Sequence, residues 1–139
     1  MPRKDNYHDA VRTALEKDGW TITDDPLMVQ AGDKDFYIDL GAEKFIAAIK
    51  DDDRIAVEIK TLAQKAMVFD YYQSLGQYLV YRLALERSQQ ERTLYMAVPE
   101  NAFEDYTEIE IFKYAWDYYS VNLLVFDQDN KTISQWIKK

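Results

Sequence analysis

The segment Ile55-Ala56-Val57-Glu58-Ile59-Lys60 alternates with a period of two, and it limits the fold more than any other stretch of the chain. Ile55, Val57 and Ile59 point to one face, and Ala56, Glu58 and Lys60 to the other, the pattern of a strand running from Arg54 to Thr61. Segments on either side supply its neighbours. Asp5 or Asn6 can cap a helix that carries Val11, Ala14 and Leu15 and ends near Asp18-Gly19. Trp20-Thr21-Ile22-Thr23 is short and β-branched, a strand that Asp24-Asp25-Pro26 breaks. Phe36-Tyr37-Ile38-Asp39-Leu40 is a second strand candidate. Residues 42–50 have helical propensity but lead into an acidic turn and a strand, so a hairpin through Asp51-Asp52-Asp53 is the simpler topology and is expected.

Downstream, Met67 to Arg87 reads as a long helix rich in Tyr and Leu, and Arg92 to Val98 as a strand stopped by Pro99. Ala102 to Tyr119 predicts one helix with Tyr106, Ile109, Phe112, Trp116 and Tyr119 along a single stripe. Asn122 to Asp127 and Thr132 to Ile137 close the chain as a strand pair around Gln128-Asp129-Asn130-Lys131. The order is helix, three strands, helix, strand, helix, two strands. It predicts an α/β sandwich, a mixed central β-sheet flanked by helices, as one domain over residues 1–139.

Composition narrows the function. Acidic residues outnumber basic ones, 25 against 17, and the net charge of −8 excludes a diffuse basic coat that grips nucleic acid. The absence of cysteine excludes a disulfide scaffold, a Cys-ligated zinc site and a thiol nucleophile. Met1-Pro2-Arg3-Lys4-Asp5 leads straight into a polar helix start, with no signal-peptide pattern, so a cytoplasmic chain without membrane contact is expected.

The charged pair on an otherwise apolar strand is the chemical lead. Ala56 is small and leaves space beside Glu58, and a carboxylate and an ammonium two residues apart on a strand can share one ligand. The plainer reading is a cross-strand salt bridge or a half-exposed strand face. Asp39 adds weight to the first. It sits between Ile38 and Leu40, where an unpaired carboxylate is costly. Two carboxylates from neighbouring strands can chelate a hard cation such as Mg²⁺, and a lysine beside it can position the attacking water or stabilise a phosphoryl oxygen. These are the parts of metal-assisted phosphodiester hydrolysis.

Asp39, Glu58-Ile59-Lys60 and Gln77-Tyr78-Leu79-Val80-Tyr81 together resemble the motif of the PD-(D/E)XK nuclease superfamily, the last segment being similar to the Q-x-x-x-Y helix of its RecB-like branch. The chain is identified more closely as a member of the XisH family, the controlling factors for excision of the fdxN element in cyanobacteria. The resembling stretches are Asp5-x-x-His8, Asp18-Gly19-Trp20-x-Ile22-Thr23, Asp39-Leu40-x-Ala42-Glu43, Val57-Glu58-Ile59-Lys60, Gly76-Gln77-Tyr78-x-x-Tyr81 and Gln135-Trp136-Ile137.

The resemblance implies a restriction-endonuclease-like core and a set of roles. Asp39 and Glu58 would be the carboxylate ligands of Mg²⁺ or Mn²⁺, with the Ile59 carbonyl as third ligand. Lys60 would be the catalytic lysine, and Gln77 and Tyr81, one helical turn apart, would order the site. His8, on the face of Val11 and Leu15, would either enter the same cleft or serve as a core residue. The family implies control of excision and DNA recombination together with a XisI-like partner. Association with copies of itself is a further expectation. Two functions stand side by side. One is a metal-dependent endodeoxyribonuclease, a hydrolase acting on DNA. The other is a non-catalytic accessory protein that acts by binding XisI or a recombinase.

Ile38 stands where the motif name has Pro. Eighteen residues separate Asp39 from Glu58, and a regular hairpin turning at Asp52 would pair Glu58 with Ile46. To bring Asp39 alongside, the strand must bend or bulge, with Gly41 the natural place. A DNA groove would draw on Lys44, Lys60, Lys65, Arg82 and Arg87, or on a basic partner. Asp51-Asp52-Asp53 reads as a solvated turn, and Asp127-x-Asp129-Asn130 lacks the later Gly and Glu of a calcium loop. Tyr71, Tyr72, Tyr78, Tyr81, Tyr118 and Tyr119 stand at core or interface spacing rather than as base-stacking platforms.

Overall fold

The computed structural model describes residues 3–31, 34–37, 45–60, 67–88 and 90–139. Helix α1 (Arg3–Lys17) is followed by strands β1 (Thr21–Asp24), β2 (Met28–Ala31), β3 (Lys34–Tyr37), β4 (Phe45–Lys50) and β5 (Asp53–Ile59). Helix α2 (Met67–Arg87), strand β6 (Thr93–Pro99), helices α3 (Glu100–Thr107) and α4 (Glu110–Tyr118), and strands β7 (Leu123–Asp127) and β8 (Thr132–Ile137) complete it. Six strands form one sheet in the order β1-β4-β5-β6-β7-β8. The central β5, β6 and β7 are parallel, and the flanking pairs β1–β4, β4–β5 and β7–β8 are antiparallel. This is a mixed α/β arrangement consistent with a restriction-endonuclease-like core. Among the described residues no helix is long and apolar enough to cross a membrane.

Period-two alternation decides which layer each strand residue feeds. Ile55, Val57 and Ile59 join Ala10, Val11 and Leu15 of α1 in one buried cluster, with Leu124 and Phe126 of β7. Ala56, Met96, Val98, Leu123 and Val125 face the other way, against Tyr71, Tyr78, Tyr106, Phe112 and Trp116 of α2, α3 and α4. Parallel strands need crossover connections, and α2 is the one between β5 and β6. The sheet is therefore covered on both sides, with α2 lying over the face to which Glu58 points.

Four expectations need correction. The hairpin over residues 45–59 forms, but its register pairs Glu58 with Phe45 and not with Ile46. Lys50 pairs with Asp53 across a two-residue turn, in which Asp51 takes a left-handed conformation (φ 54°) that aspartate tolerates. Second, Phe36 and Tyr37 do stand in a strand, β3, but not in the main sheet, and Ile38, Asp39 and Leu40 lie outside the described residues. β3 pairs instead with β2, an element with no strong alternation of its own, as a separate two-stranded sheet. Val29 of that sheet, and Leu27 just before it, pack into the α2-side core. Third, the helix expected over 102–119 is two helices. The Thr107 hydroxyl donates to the Phe103 carbonyl, and Ile109 is extended (φ −93°, ψ 107°). The break lets Tyr106 and Phe112, from successive helices, both meet Tyr71, at ring-centroid distances of 5.3 and 3.8 Å. Fourth, Tyr119 falls outside the buried stripe, just past the end of α4, and is 42% exposed.

Candidate functional site

Glu58 and Lys60 lie at the carboxyl end of β5, the end of a parallel strand outside which α/β sheets place their ligands. The Lys60 amide donates to the Ala97 carbonyl of β6, which carries the strand pairing one residue past Ile59. Both side chains lie under α2, Glu58 0% and Lys60 1% exposed. Lys60 Nζ stands 3.1 Å from Glu58 Oε2 and donates a short hydrogen bond to Gln77 Oε1 of α2. Carboxylate, ammonium and amide, from two elements, thus converge within the otherwise apolar core.

The walls of this site are buried. Ala56, fully buried, is the next residue along β5 on the same face, and Met96 is the cross-strand neighbour of Glu58 on β6. Tyr78, beside Gln77, is fully buried, and its hydroxyl donates to the Leu94 carbonyl and accepts the Asn122 amide, both at 3.0 Å. Burial pushes its phenol above the usual tyrosine range, and the nearby Glu58 carboxylate adds to the rise. Tyr81, one turn beyond Gln77, is buried in the same cluster. The Ile59 side chain points into the α1-side core, so this residue can offer the site its backbone only. Asp39 lies outside the described residues.

A buried ion pair is a poor stabilising device. Removing two charges from water costs several kcal/mol per ion, which mutual attraction barely returns, and apolar residues of similar volume often do as well. Strand alternation on an apolar face readily accommodates Leu or Met. That this strand holds a charged pair instead, wired to a helix amide, points to a chemical use.

The available donors suit a hard cation. The carboxylate of Glu58 and the backbone carbonyl of Ile59 are oxygen donors of the kind that Mg²⁺ and Mn²⁺ take. Among the described residues no three His, Asp or Glu gather at one point, so a complete ligand set would need the contribution expected from Asp39.

His8 stands elsewhere. Its Nε2 lies 2.8 Å from Asp25 Oδ1, and Arg12 NH1 lies 2.5 Å from Asp25 Oδ2. These contacts belong to α1 and the bend after β1, whereas Glu58, Lys60 and Gln77 belong to the α2 side of the sheet. Asp25 was legible only as part of a strand-breaking run. The stronger signal is the spacing of His8 and Arg12, two basic side chains one turn apart that call for an acid opposite.

Other candidates resolve into local structure. The Asp127 carboxylate accepts the amides of Asp129 and Asn130 and the Asn130 side chain, which hold it below its ordinary range and close the turn before β8. Asp51, Asp52 and Asp53 are exposed at the β4–β5 turn. Of the basic residues that a DNA groove would draw on, Lys60 is buried and Arg82 donates to the carbonyls of Tyr119 and Ser120. Arg87 is exposed at the end of α2, and Lys44 and Lys65 lie outside the described residues.

An α/β protein with a charged, helix-capped site at the end of a central strand is the class that fold and site define. The XisH protein family model matches residues 1–134, and the chain belongs to the XisH family. The crystal structure of a fdxN element excision controlling factor protein from Anabaena variabilis is 37% identical and superposes with a TM-score of 0.87, over 96% of this chain and 99% of that one. An XisH family protein from Nostoc punctiforme, also 37% identical, gives a TM-score of 0.86 over 96% of this chain and 100% of that one. No curated protein matches.

Proposed function

We propose that this protein controls programmed excision of a DNA element of the fdxN kind, through a metal-dependent phosphodiester-hydrolysing site of PD-(D/E)XK type. The role in excision rests on similarity to the Anabaena variabilis controlling factor. The chemistry rests on one observation, the buried convergence of Glu58, Lys60 and Gln77. In this reading Glu58 and Asp39, with the Ile59 carbonyl, hold Mg²⁺ or Mn²⁺. The bound cation supplies Lewis-acid polarisation of a phosphoryl oxygen. Lys60 orients the attacking water and places positive charge beside the developing oxyanion. Gln77 holds the Lys60 ammonium at a fixed point, and Tyr81 packs the helix that carries Gln77.

A second reading is favoured by charge. The chain carries −8 overall, and Lys60 and Arg82 are engaged within the protein. An accessory protein that reaches DNA through a XisI-like partner or a recombinase fits that balance. Supercoiled plasmid incubated with the purified protein and Mg²⁺ or Mn²⁺ separates the two. The nuclease reading predicts nicking by the wild type that Glu58→Ala and Lys60→Ala each reduce at least a hundredfold. Equal nicking by all three marks a contaminant and ends the catalytic reading, and no nicking by any leaves the accessory reading.

A further inference from the structure

The outward side of α2 carries a pattern that the site does not use. Phe69, Tyr72, Val80 and Leu83 are 65%, 63%, 52% and 56% exposed, although each is large and apolar. They are arranged symmetrically about Gly76: Tyr72 and Val80 lie four residues on either side of it, Phe69 and Leu83 seven. At 100° per residue all four fall within about 40° of the direction in which Gly76 faces. Glycine is among the least favourable residues in a helix interior, exceeded only by proline. Among the described residues nothing asks for it here, since a Cβ at Gly76 meets no atom within 4 Å.

Alongside runs α4, parallel to α2. Phe112 packs against Tyr71 and Tyr72 at one end, and Arg82 reaches the Tyr119 and Ser120 carbonyls at the other. It adds Ile111, Tyr114 and Tyr118, which are 66%, 58% and 80% exposed. Together these side chains expose roughly 800 Å², taking ~150–250 Å² for a whole large side chain. A standard interface takes ~800 Å² from each partner.

We propose that Gly76 marks a two-fold axis at which a second copy of this chain lays its α2 antiparallel across the first. The symmetry of the stripe selects that occupant. A two-fold axis through Gly76 sets Phe69 against Leu83 of the other copy and Tyr72 against Val80, so the same surface is complementary to itself. With no side chain at the crossing, the two backbones approach more closely than the usual ~8–10 Å between helix axes. The surface goes beyond the proposed chemistry, since the stripe faces about 100° round α2 from Gln77, which makes the Lys60 contact.

Sedimentation of the purified full chain tests this. The wild type runs at twice the mass of the chain, and Leu83→Arg and Gly76→Phe each raise the dissociation constant at least tenfold. Far-UV circular dichroism and thermal midpoints near wild type show that both variants remain folded, as expected for changes made in open space. The chain has no cysteine, so Gly76→Cys gives a clean second readout. Mild oxidation links it into a dimer, whereas Glu16→Cys, exposed on α1, stays unlinked. A monomeric wild type overturns the proposal. So does a dimer that neither variant weakens and Gly76→Cys does not cross-link, or a different protein held at this face in place of the second copy.

Discussion

Lys60 Nζ lies 3.1 Å from Glu58 Oε2, with both side chains shielded from solvent beneath α2. Breaking such a pair from one side strands a charge in the core, at a cost of about 3–5 kcal/mol. Lys60→Met and Glu58→Gln are each expected to lower unfolding free energy on that scale. The double variant Glu58→Gln/Lys60→Met is expected to lose about 0.5–3 kcal/mol less than the sum of the two, because neither charge is then left alone. Urea titrations with unchanged slopes check both statements. Additive losses would mean that the two groups do not act as a pair.

Alkaline pH should unfold the protein through its buried phenols. Burial pushes Tyr106 from its ordinary value of 10.0 up to about 12, and it raises Tyr71, Tyr78 and Tyr95 in the same direction. A raised folded-state pKa keeps the proton on the native protein longer than on the unfolded chain. The stabilising contribution is therefore complete below pH 10 and declines as pH rises toward 12. Unfolding free energy is expected to be flat with respect to these groups at neutral pH and to fall steeply above pH 10, with tyrosinate absorbance appearing together with unfolding. Ionisation of all eleven tyrosines in a protein that stays folded would contradict this.

Asp25 joins α1 to the bend after β1 through two basic residues, His8 and Arg12. Its side chain is 11% exposed, which sets it apart from the surface pairs that contribute little. Asp25→Ala is expected to cost about 1.5–3 kcal/mol, the range for charge-assisted hydrogen bonds. Arg12→Ala, at a side chain 41% exposed, should cost under about 1 kcal/mol. Thermal unfolding of the two variants gives the order, and a larger loss for Arg12→Ala would show that Asp25 is not the hub.

How far the sequence reached depended on how local the signal was. The period-two run at β5 and the long helix α2 stand where the pattern puts them, since one strand's alternation and one helix's apolar face are short-range facts. At β4 helical propensity and hairpin topology conflict, and pairing with β5 prevails. The Thr107–Ile109 break was hidden because neither Gly nor Pro marks it. What it achieves, contact of both Tyr106 and Phe112 with Tyr71, is made more than thirty residues upstream. For the candidate site, alternation placed Glu58 and Lys60 on one side, but nothing local said that a crossover helix would cover them. Gln77 entered through motif resemblance, and its contact with Lys60 is a product of the β5–α2 connection.

The proposed chemistry needs Glu58 as a metal ligand with Lys60 beside it, and calorimetric titration with Mn²⁺ measures that most directly. The wild type is expected to bind one ion per chain at a site that Glu58→Gln abolishes. Lys60→Met should bind at least as tightly, because removing the ammonium frees the Glu58 oxygen from a competing cation. Binding that Glu58→Gln leaves untouched, or no binding by the wild type, would contradict a metal site at Glu58 and reduce the pair to a feature of the core.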